Sequence, residues 1–292
     1  MKKALFASAA IAVAVVGLAS AARASVVSAG SGDNQSLVVF QSGVADAVGS
    51  AGQPFVQENG GGAGGNVIAI TQSGSGDAFG LGAGGSFQSG SGNQASIVQS
   101  GAGSSVNLQQ TGGFNGVVAG AISSVAQSAD NSSIAIVQSG AGNGFQVTQA
   151  GSANALSLNQ HGSANAATLN QAGGAQSMTV QQTGGANEVD AGQTGGGQYL
   201  LATQTGDGNL LVSSQSGAGN SLTTTQTGNS NAIYATQAGT ALYASLTQNG
   251  NGDMISGAQS GDHNSASVTQ TGNGDTAVYT QRGSGATLIV RQ

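Results

Sequence analysis

The sequence predicts an all-β protein, a parallel β-solenoid of two stacked sheets with two short strands in each 22-residue rung and a signal helix at the N-terminus. Three observations predict the solenoid. A glutamine recurs every eleven residues, apolar and polar residues alternate before it, and a glycine follows nearly every glutamine at a fixed offset. A repeat of this size buries its apolar face only against its neighbours, so strict repetition builds solenoids or fibres.

The glutamines form a ladder that runs without a slip through residues 127–292. An active site needs a few unlike groups that converge on one point, whereas identical groups at a fixed period indicate stacking. Each side-chain amide has two donors and an oxygen with two lone pairs, so a stacked column can bond along its own axis. The ladder consists of Gln127, Gln138, Gln149, Gln160, Gln171, Gln182, Gln193, Gln204, Gln215, Gln226, Gln237, Gln248, Gln259, Gln270, Gln281 and Gln292.

The residues between two glutamines predict a β-strand. Counted from each ladder glutamine as zero, offsets +5, +7, +9 and +11 share one parity and point to the same side of an extended chain. Offsets +7 and +9 are mostly apolar, as in Leu156 and Leu158, whereas a helix would need spacings of three and four. Offset +5 is usually polar and is expected to form a second stacking column, with asparagine at Asn143, Asn154, Asn165, Asn187, Asn209, Asn220, Asn231 and Asn264.

Glycine at offset +2 predicts a tight turn of about four residues, because glycine tolerates positive φ angles. Identical units in a fixed register favour parallel stacking of each strand on the strand 22 residues later, about 4.8 Å away. The turn glycines are Gly140, Gly151, Gly162, Gly173, Gly184, Gly195, Gly206, Gly217, Gly228, Gly239, Gly250, Gly261, Gly272 and Gly283.

Residues 34–126 carry the same motif less regularly and are expected to form irregular repeats with Gly-rich insertions. The regular array with an 11-residue period follows at 127–292. Bulging turns at 58–65 and 80–85 are expected to hold the surplus residues. With these repeats the chain is expected to form about eleven rungs, roughly 50 Å of solenoid at about 4.8 Å per rung. The earlier ladder glutamines are predicted to be Gln41, Gln57, Gln72, Gln88, Gln99 and Gln110.

Residues 1–24 have the pattern of a secretory signal. Lys2 and Lys3 precede an apolar run, and an A-x-A site predicts cleavage between Ala24 and Ser25. Residues 25–33 then form a short N-terminal segment. The apolar run is too short for a membrane anchor, and no later segment is apolar enough to span, so no membrane span is expected in the mature chain.

Composition argues against several functions. Without its signal the chain has eleven acidic residues against Arg282 and Arg291, a formal charge of −9, so a nucleic acid ligand is not expected. No motif pairs a base with a nucleophile, and His161 and His263 read as exposed turn residues about nine units apart. We therefore expect no enzyme, no cofactor and no metal. There is no cysteine, so stacking must supply the stability.

The repeat resembles the curlin repeat, S-x5-Q-x-G-x-G-N-x-A-x-V-x-Q in its family form. The matching pieces include QSGSGNQASIVQ at 88–99 and QTGDGNLLVSSQ at 204–215. The resemblance implies a curli-type fibre subunit, a secreted functional amyloid of the bacterial cell surface that serves adhesion and cohesion in the biofilm matrix. It also implies partners: other copies of itself, an outer-membrane secretion pore and a second curli-like subunit. Arg282 and Arg291 resemble the basic terminal repeat of the family's nucleator, so the major and the nucleating role both stay open.

Two other interpretations concern the solenoid's outer surface and its ends. A soluble, ice-binding-like solenoid would need an outward threonine face, and Thr203, Thr225, Thr247 and Thr269 fall at offset +10 of alternate units. The ladder reaches Gln292 with no capping segment after it, and an uncapped edge of low charge is expected to recruit another subunit. Calcium-binding β-rolls have a nine-residue period with an Asp in each turn, a pattern that this sequence lacks.

Overall fold

The computed structural model describes residues 12–17, 23–24, 35–42, 44–49, 55–58, 65–81, 85–118 and 121–292, and every regular element within them is a β-strand. Two parallel sheets of twelve and fourteen strands face each other across one apolar core, and a separate pair of short strands lies outside them. The predicted parallel β-solenoid is confirmed.

The strands are numbered along the chain. They are β1 (Ala12–Gly17), β2 (Arg23–Ala24), β3 (Ser36–Gln41), β4 (Ala47–Val48), β5 (Val56–Glu58), β6 (Val67–Gln72), β7 (Ala78–Phe79), β8 (Phe87–Ser91), β9 (Gln94–Gln99), β10 (Ser105–Gly113), β11 (Val117–Val118), β12 (Ala121–Ile122), β13 (Ser124–Asp130), β14 (Ser133–Ala141), β15 (Gly144–Ser152), β16 (Ala155–Ser163), β17 (Ala166–Gly174), β18 (Ser177–Gly185), β19 (Glu188–Gly196), β20 (Tyr199–Thr205), β21 (Leu210–Ala218), β22 (Ser221–Thr227), β23 (Ala232–Thr240), β24 (Tyr243–Asn251), β25 (Met254–Asp262), β26 (Ser265–Asn273), β27 (Thr276–Ser284) and β28 (Thr287–Arg291).

The chain alternates between the two sheets. The first sheet has the order β1-β3-β6-β9-β13 and then every odd-numbered strand to β27, and the second sheet runs along β2-β4-β7-β10-β14 and then every even-numbered strand to β28. From β13 onward each strand pairs in parallel with the strand 22 residues later, so that Gln149 lies beside Gln171. One rung therefore holds one strand of each sheet.

Buried and exposed side chains alternate along the strands, as the parity of the offsets predicts. In β16, Leu156, Leu158 and Gln160 are buried, whereas the residues between them are exposed. Most strands of the regular array have nine residues. They do not end at the ladder glutamine, because parallel pairing continues to the glycine at offset +2 and one residue beyond it. The core consists of the +7 and +9 side chains, and one of its columns runs through Ile134, Leu156, Met178, Leu200 and Leu222.

The first rungs are longer than 22 residues but stay in register with the regular array. Successive glutamines of the first sheet are 31, 27 and 28 residues apart from Gln41 to Gln127, and 22 apart afterwards. The surplus residues leave the ladder spacing along the solenoid axis unchanged. They must therefore be looped out of the rung.

Two of these insertions interrupt a strand, which corrects the predicted turn at 80–85. The single strand β10 pairs with β7 along its N-terminal part and with β8 along its C-terminal part, so the chain leaves the middle of this strand position after Phe79 and returns to it at Phe87. The antiparallel pair β11 and β12 leaves the rung between Gly116 and Ser123 in the same way. In the other predicted turn, 58–65, residues 59–64 lie outside the described residues.

A buried serine closes each of these insertions. Ser86 Oγ accepts the amide N–H of Leu108 at 2.8 Å, and Ser123 Oγ accepts that of Phe145 at 2.8 Å. Both serines are 1% exposed. Because an insertion removes the backbone carbonyl that would continue the ladder, a hydroxyl at the point of return satisfies a buried donor that would otherwise be unpaired.

The predicted signal helix is wrong for the part of residues 1–24 that the structure describes. Ala12–Gly17 is a strand that pairs in parallel with β3, and Arg23–Ala24 pairs with β4. The run AVAVVG is rich in β-branched valine and lies against an open sheet edge, which favours a strand. The remaining residues of the signal, together with Ser25, lie outside the described residues. No helix in the described part is long and apolar enough to cross a membrane.

Candidate functional site

The ladder glutamines form two buried columns, one at the edge of each sheet. In the first sheet, hydrogen bonds join the side chains from Gln41 to Gln281, and in the second sheet they join those from Gln57 to Gln292. The Nε2–Oε1 distances range from 2.6 Å for Gln88 to 3.1 Å for Gln248. The irregular first rungs belong to the same two ladders as the regular array.

Every ladder bond has the same direction. The Nε2 of each glutamine donates to the Oε1 of the glutamine one rung nearer the C-terminus, as Gln204 does to Gln226 at 2.9 Å. In most ladder glutamines the second N–H donates across the core edge to a backbone carbonyl of the opposite sheet, which for Gln204 is the carbonyl of Glu188 at 3.0 Å. Such an amide joins two rungs and two sheets, whereas Gln138 and Gln270 donate only along the ladder. The ladder has a donor end and an acceptor end.

The residues at offset +5 form two further columns, on opposite edges of the solenoid. The asparagine column begins the strands of the first sheet and consists of Asn66, Asn93, Asn115, Asn143, Asn165, Asn187, Asn209 and Asn231, followed by Asp253 and Asp275. The mixed column begins the strands of the second sheet and consists of Asp46, Asp77, Ser104, Ser132, Asn154, Gln176, Gln198, Asn220, Leu242, Asn264 and Ala286.

An asparagine at offset +5 makes bonds to its own turn and to both neighbouring rungs. Asn187 Nδ2 donates to the carbonyls of Thr183, in its own turn, and of Gly206, one rung on at 2.7 Å. Its Oδ1 accepts the backbone N–H of Asn209 at 3.0 Å. A glutamine in the same position reaches the two carbonyls, but the Oε1 atoms of Gln176 and Gln198 are buried without a partner. The extra methylene explains why asparagine is the commoner residue.

The glycines at offset +2 are needed for the approach of neighbouring rungs. A Cβ on Gly206 would lie 2.1 Å from the carbonyl oxygen of Gly228, and the same contact recurs along the turn glycines from Gly140 to Gly261. The residue that bends the chain lies two positions later, at offset +4, with φ near +55° and often with alanine, as in Ala153 and Ala164. The turn glycines at offset +2 have positive φ angles too, except Gly250, as the sequence predicts, but the residue at offset +4 was not identified from the sequence.

The two histidines lie on the exposed turn edge. His161 Nδ1 lies 2.5 Å from Ser139 Oγ of the preceding rung, and His263 occupies the left-handed offset +4 position with φ 55°. Arg282 and Arg291 are exposed in β27 and β28. No group of three or more His, Asp or Glu side chains within the described ranges is placed to hold a metal ion.

The outward threonines form a single column. Thr203, Thr225, Thr247 and Thr269 lie in register on four rungs of the second sheet. The neighbouring outward positions on the same rungs are Leu201, Thr223, Ser245 and Ser267. A flat ice-binding face needs matched columns, so this arrangement does not favour that interpretation.

Taken together, the geometry defines a class of protein: a parallel β-repeat solenoid whose rungs are joined by stacked side-chain amides. Residues 239–272, which contain β24 and β25 entirely, match the family described as the curlin associated repeat. This part of the chain is therefore similar to the curlin repeat, in agreement with the resemblance seen in the sequence. Among curated proteins, none matches the chain.

Proposed function

We propose that the chain is a secreted structural subunit that stacks end to end with other copies into curli-like amyloid fibres at the bacterial cell surface, for adhesion and cohesion in the biofilm matrix. The observation that supports this proposal is the unbroken, one-directional pair of glutamine ladders. Each rung presents the same groups to the next one, so a second copy can use the bonds that already join the rungs within one chain.

The direction of the ladder favours head-to-tail addition. In the rung of β27 and β28, the Nε2 of Gln281 bonds only to carbonyls of Ser265 and Ala286, without the ladder acceptor that inner glutamines have. A second copy from which residues 1–24, and with them the strand β1 that pairs with β3, have been cleaved could continue the register and bring the Oε1 of its own Gln41 to this Nε2. Joining two like ends would place donors against donors, so only one relative orientation continues the ladder.

Three features favour stacking over a closed, monomeric solenoid. Among the described strands, β27 and β28 pair with a neighbour on one side only, and such an edge can pair with another chain. The nearby side chains Leu288 and Val290 are only partly buried. The charge of the chain is low for its length, with 5% charged residues, so little repulsion opposes close packing of copies.

The test is assembly from the unfolded state. The chain from Ser25 onward, diluted from denaturant, is expected to form fibres after a lag phase, with diffraction near 4.7 Å along the fibre axis and near 10 Å across it. Addition of preformed fibres should remove the lag. A chain that remains monomeric at high concentration for days would refute the proposal and favour a soluble binding solenoid.

The implied partners are a secretion pore and a second curlin-repeat subunit, and the chain is either the major or the nucleating subunit. These roles predict different behaviour in a mixture. A nucleating subunit should shorten the lag of its partner when present in trace amounts, whereas a major subunit should respond to traces of the partner. Equal cross-seeding in both directions would contradict a division of roles.

A further inference from the structure

Carboxylates replace amides in the offset +5 columns only near the two ends of the described solenoid. Asp46 and Asp77 begin the mixed column, and Asp253 and Asp275 end the asparagine column. Asp46, Asp77 and Asp253 are at most 1% exposed. The rungs between them carry Asn, Gln, Ser or Leu at this offset, so the buried charge is confined to the rungs nearest the stacking surfaces.

The aspartates reproduce only half of the asparagine bonding pattern. Asp46 Oδ1 accepts the backbone N–H of Asp77 at 3.1 Å, and Asp77 Oδ1 accepts that of Ser104 at 3.1 Å, as an asparagine Oδ1 would. The Oδ2 atoms of both residues are buried and have no hydrogen-bond partner. In Asn154 of the same column, the corresponding Nδ2 donates to the carbonyls of Ala150 and Gly173.

By register, the Oδ2 of Asp77 takes the place from which the Nδ2 of Asn154 donates, and Gly101 is the residue that corresponds to Gly173. The Oδ2 of Asp77 and the carbonyl oxygen of Gly101 both lie within 2.4 Å of the point at which a Gly74 Cβ would stand. A carboxylate has no proton to place between these two oxygens, whereas a neutral carboxyl donates through its O–H. Burial of the unpaired oxygen makes the charged form costly.

The surroundings of Asp77 favour the neutral form. Burial raises the pKa of Asp77, and the charges of Asp46 and Asp130 raise it further, against the lowering effect of the backbone amides of Ser104 and Gly74. Asp46 stacks directly on one side, and Asp130 lies in the turn of a later rung, where it accepts the N–H of Ala102. These are the charged groups that act on Asp77.

We propose that the stacked pair Asp46 and Asp77 is a proton-dependent latch, in which a proton on Asp77 completes the turn bond and closes the first two rungs. Without this proton, the oxygens of Asp77 and Gly101 repel each other and the first rungs open more often. If the proposed end-to-end assembly holds, the latch also sets the pH at which the N-terminal rung is ready to receive another copy.

Hydrogen exchange on the chain from Ser25 onward tests the latch directly. The measured rates of peptides containing β3 and β6, divided by those of the unfolded peptides at each pH, give the protection of the first rungs. Protection should fall with rising pH by up to about tenfold per pH unit, the limit for one linked proton. Peptides from central rungs, such as β18 and β20, should show no such fall and serve as an internal reference.

The matched variants are Asp77→Asn and Asp262→Asn, which replace the same ionisable carboxyl group with an amide. Asp77→Asn should keep β3 and β6 protected from about pH 4 to 8, because the amide makes the bond without a proton. Asp262 is exposed on a turn, so its variant should keep the wild-type pH profile. The proposal is overturned if Asp77→Asn retains the wild-type profile, or if Asp262→Asn flattens it equally.

Exchange measured with added calcium and with a chelator distinguishes a proton on Asp77 from a cation bound at the same position. If calcium restores protection of the wild-type first rungs at pH 7.5 but has no effect on Asp77→Asn, a cation fills the position and the proton latch is wrong. Seeded elongation rates across the same pH range then link the latch to assembly. Since exchange is read on the chain itself, a failure to form fibres would contradict the proposed function and leave the latch measurable.

Discussion

Two glycines of one turn allow a sharp test of how neighbouring rungs are held together. Gly206 lies at offset +2 with φ +114°, and Gly208 lies at offset +4 with φ +66°. A Cβ on Gly206 would lie 2.1 Å from the carbonyl oxygen of Gly228 in the next rung, whereas a Cβ on Gly208 would meet nothing nearer than 3.8 Å. The same substitution to alanine can be made at both positions. Only the side chain added at position 206 would clash with the next rung.

The expected cost of Gly206→Ala has two parts. The backbone conformation is strained for an L-residue by about 1–3 kcal/mol. The overlap with a backbone carbonyl cannot be relieved by a side-chain movement. The two rungs must therefore separate, which weakens the bond from Asn209 Nδ2 to the Gly228 carbonyl, at about 1 kcal/mol for each bond lost. The free energy of local unfolding should fall by about 2–4 kcal/mol in total.

Gly208→Ala should cost far less. A left-handed alanine is disfavoured by about 1–2 kcal/mol, but the variant also restricts the unfolded chain, which returns about 0.4–1 kcal/mol. Alanine already occupies this offset with φ near +55° at Ala153 and Ala164. The net loss should be about 1 kcal/mol or less.

The assay is the change in hydrogen-exchange protection of peptides covering β20 to β22, measured for both variants under identical conditions. Local exchange is preferable to a single denaturation midpoint, because a solenoid does not unfold as one two-state unit. Equal losses for the two variants, or a larger loss for Gly208→Ala, would refute the contact-based explanation of the turn glycines.

Four further predictions address the ladder, the core, a buried tyrosine and an insertion. Gln292→Ala should slow seeded elongation more than Gln204→Ala, which should instead lower the stability of its central rung; equal elongation rates would show that growth does not use the β28 edge. Gly257→Ala should destabilise the last rungs by about 1–3 kcal/mol, because its Cβ would lie 2.2 Å from the ring of Tyr279, and Tyr279→Val should abolish that loss in a double-mutant cycle. Tyrosinate absorbance should show a buried phenol, since burial raises the pKa of Tyr279 to about 12, and a folded-state titration near 10 for all tyrosines would contradict this burial. Ser123→Ala should lower the local stability of β15 by about 1–3 kcal/mol, measured as faster hydrogen exchange of its backbone amides. Unchanged exchange would exclude the proposed role of the Ser123 hydroxyl.

Much of the fold could be predicted because one strand and one turn, repeated, determine it. The parity of offsets +5 to +11 places the amides and apolar side chains on one side, whatever surrounds the strand. The same rule extended to the irregular rungs, where Gln72 and Gln99 lie in the ladder despite spacings that differ from eleven. The chemistry of the stacked amide therefore outweighs chain length in setting the register.

The differences between the two edges could not be seen in an eleven-residue alignment. That alignment places Asn143 and Asn154 in equivalent positions, yet they lie in different columns because neighbours in space are 22 residues apart. The location of the insertions was equally hidden, since a glycine-rich run such as 80–85 has the composition of a turn wherever it lies. Only the serine at its end, Ser86, marks the strand to which the chain returns.

The looped-out insertions have a consequence for the surface of an assembled fibre. Because Ser86 and Ser123 restore the interrupted hydrogen bond at the point of return, the residues between β7 and β8, and those of the β11–β12 pair, can change in number and sequence without disturbing the ladders. They are natural attachment points at which a foreign peptide, displayed once per subunit, would decorate the fibre at a regular interval.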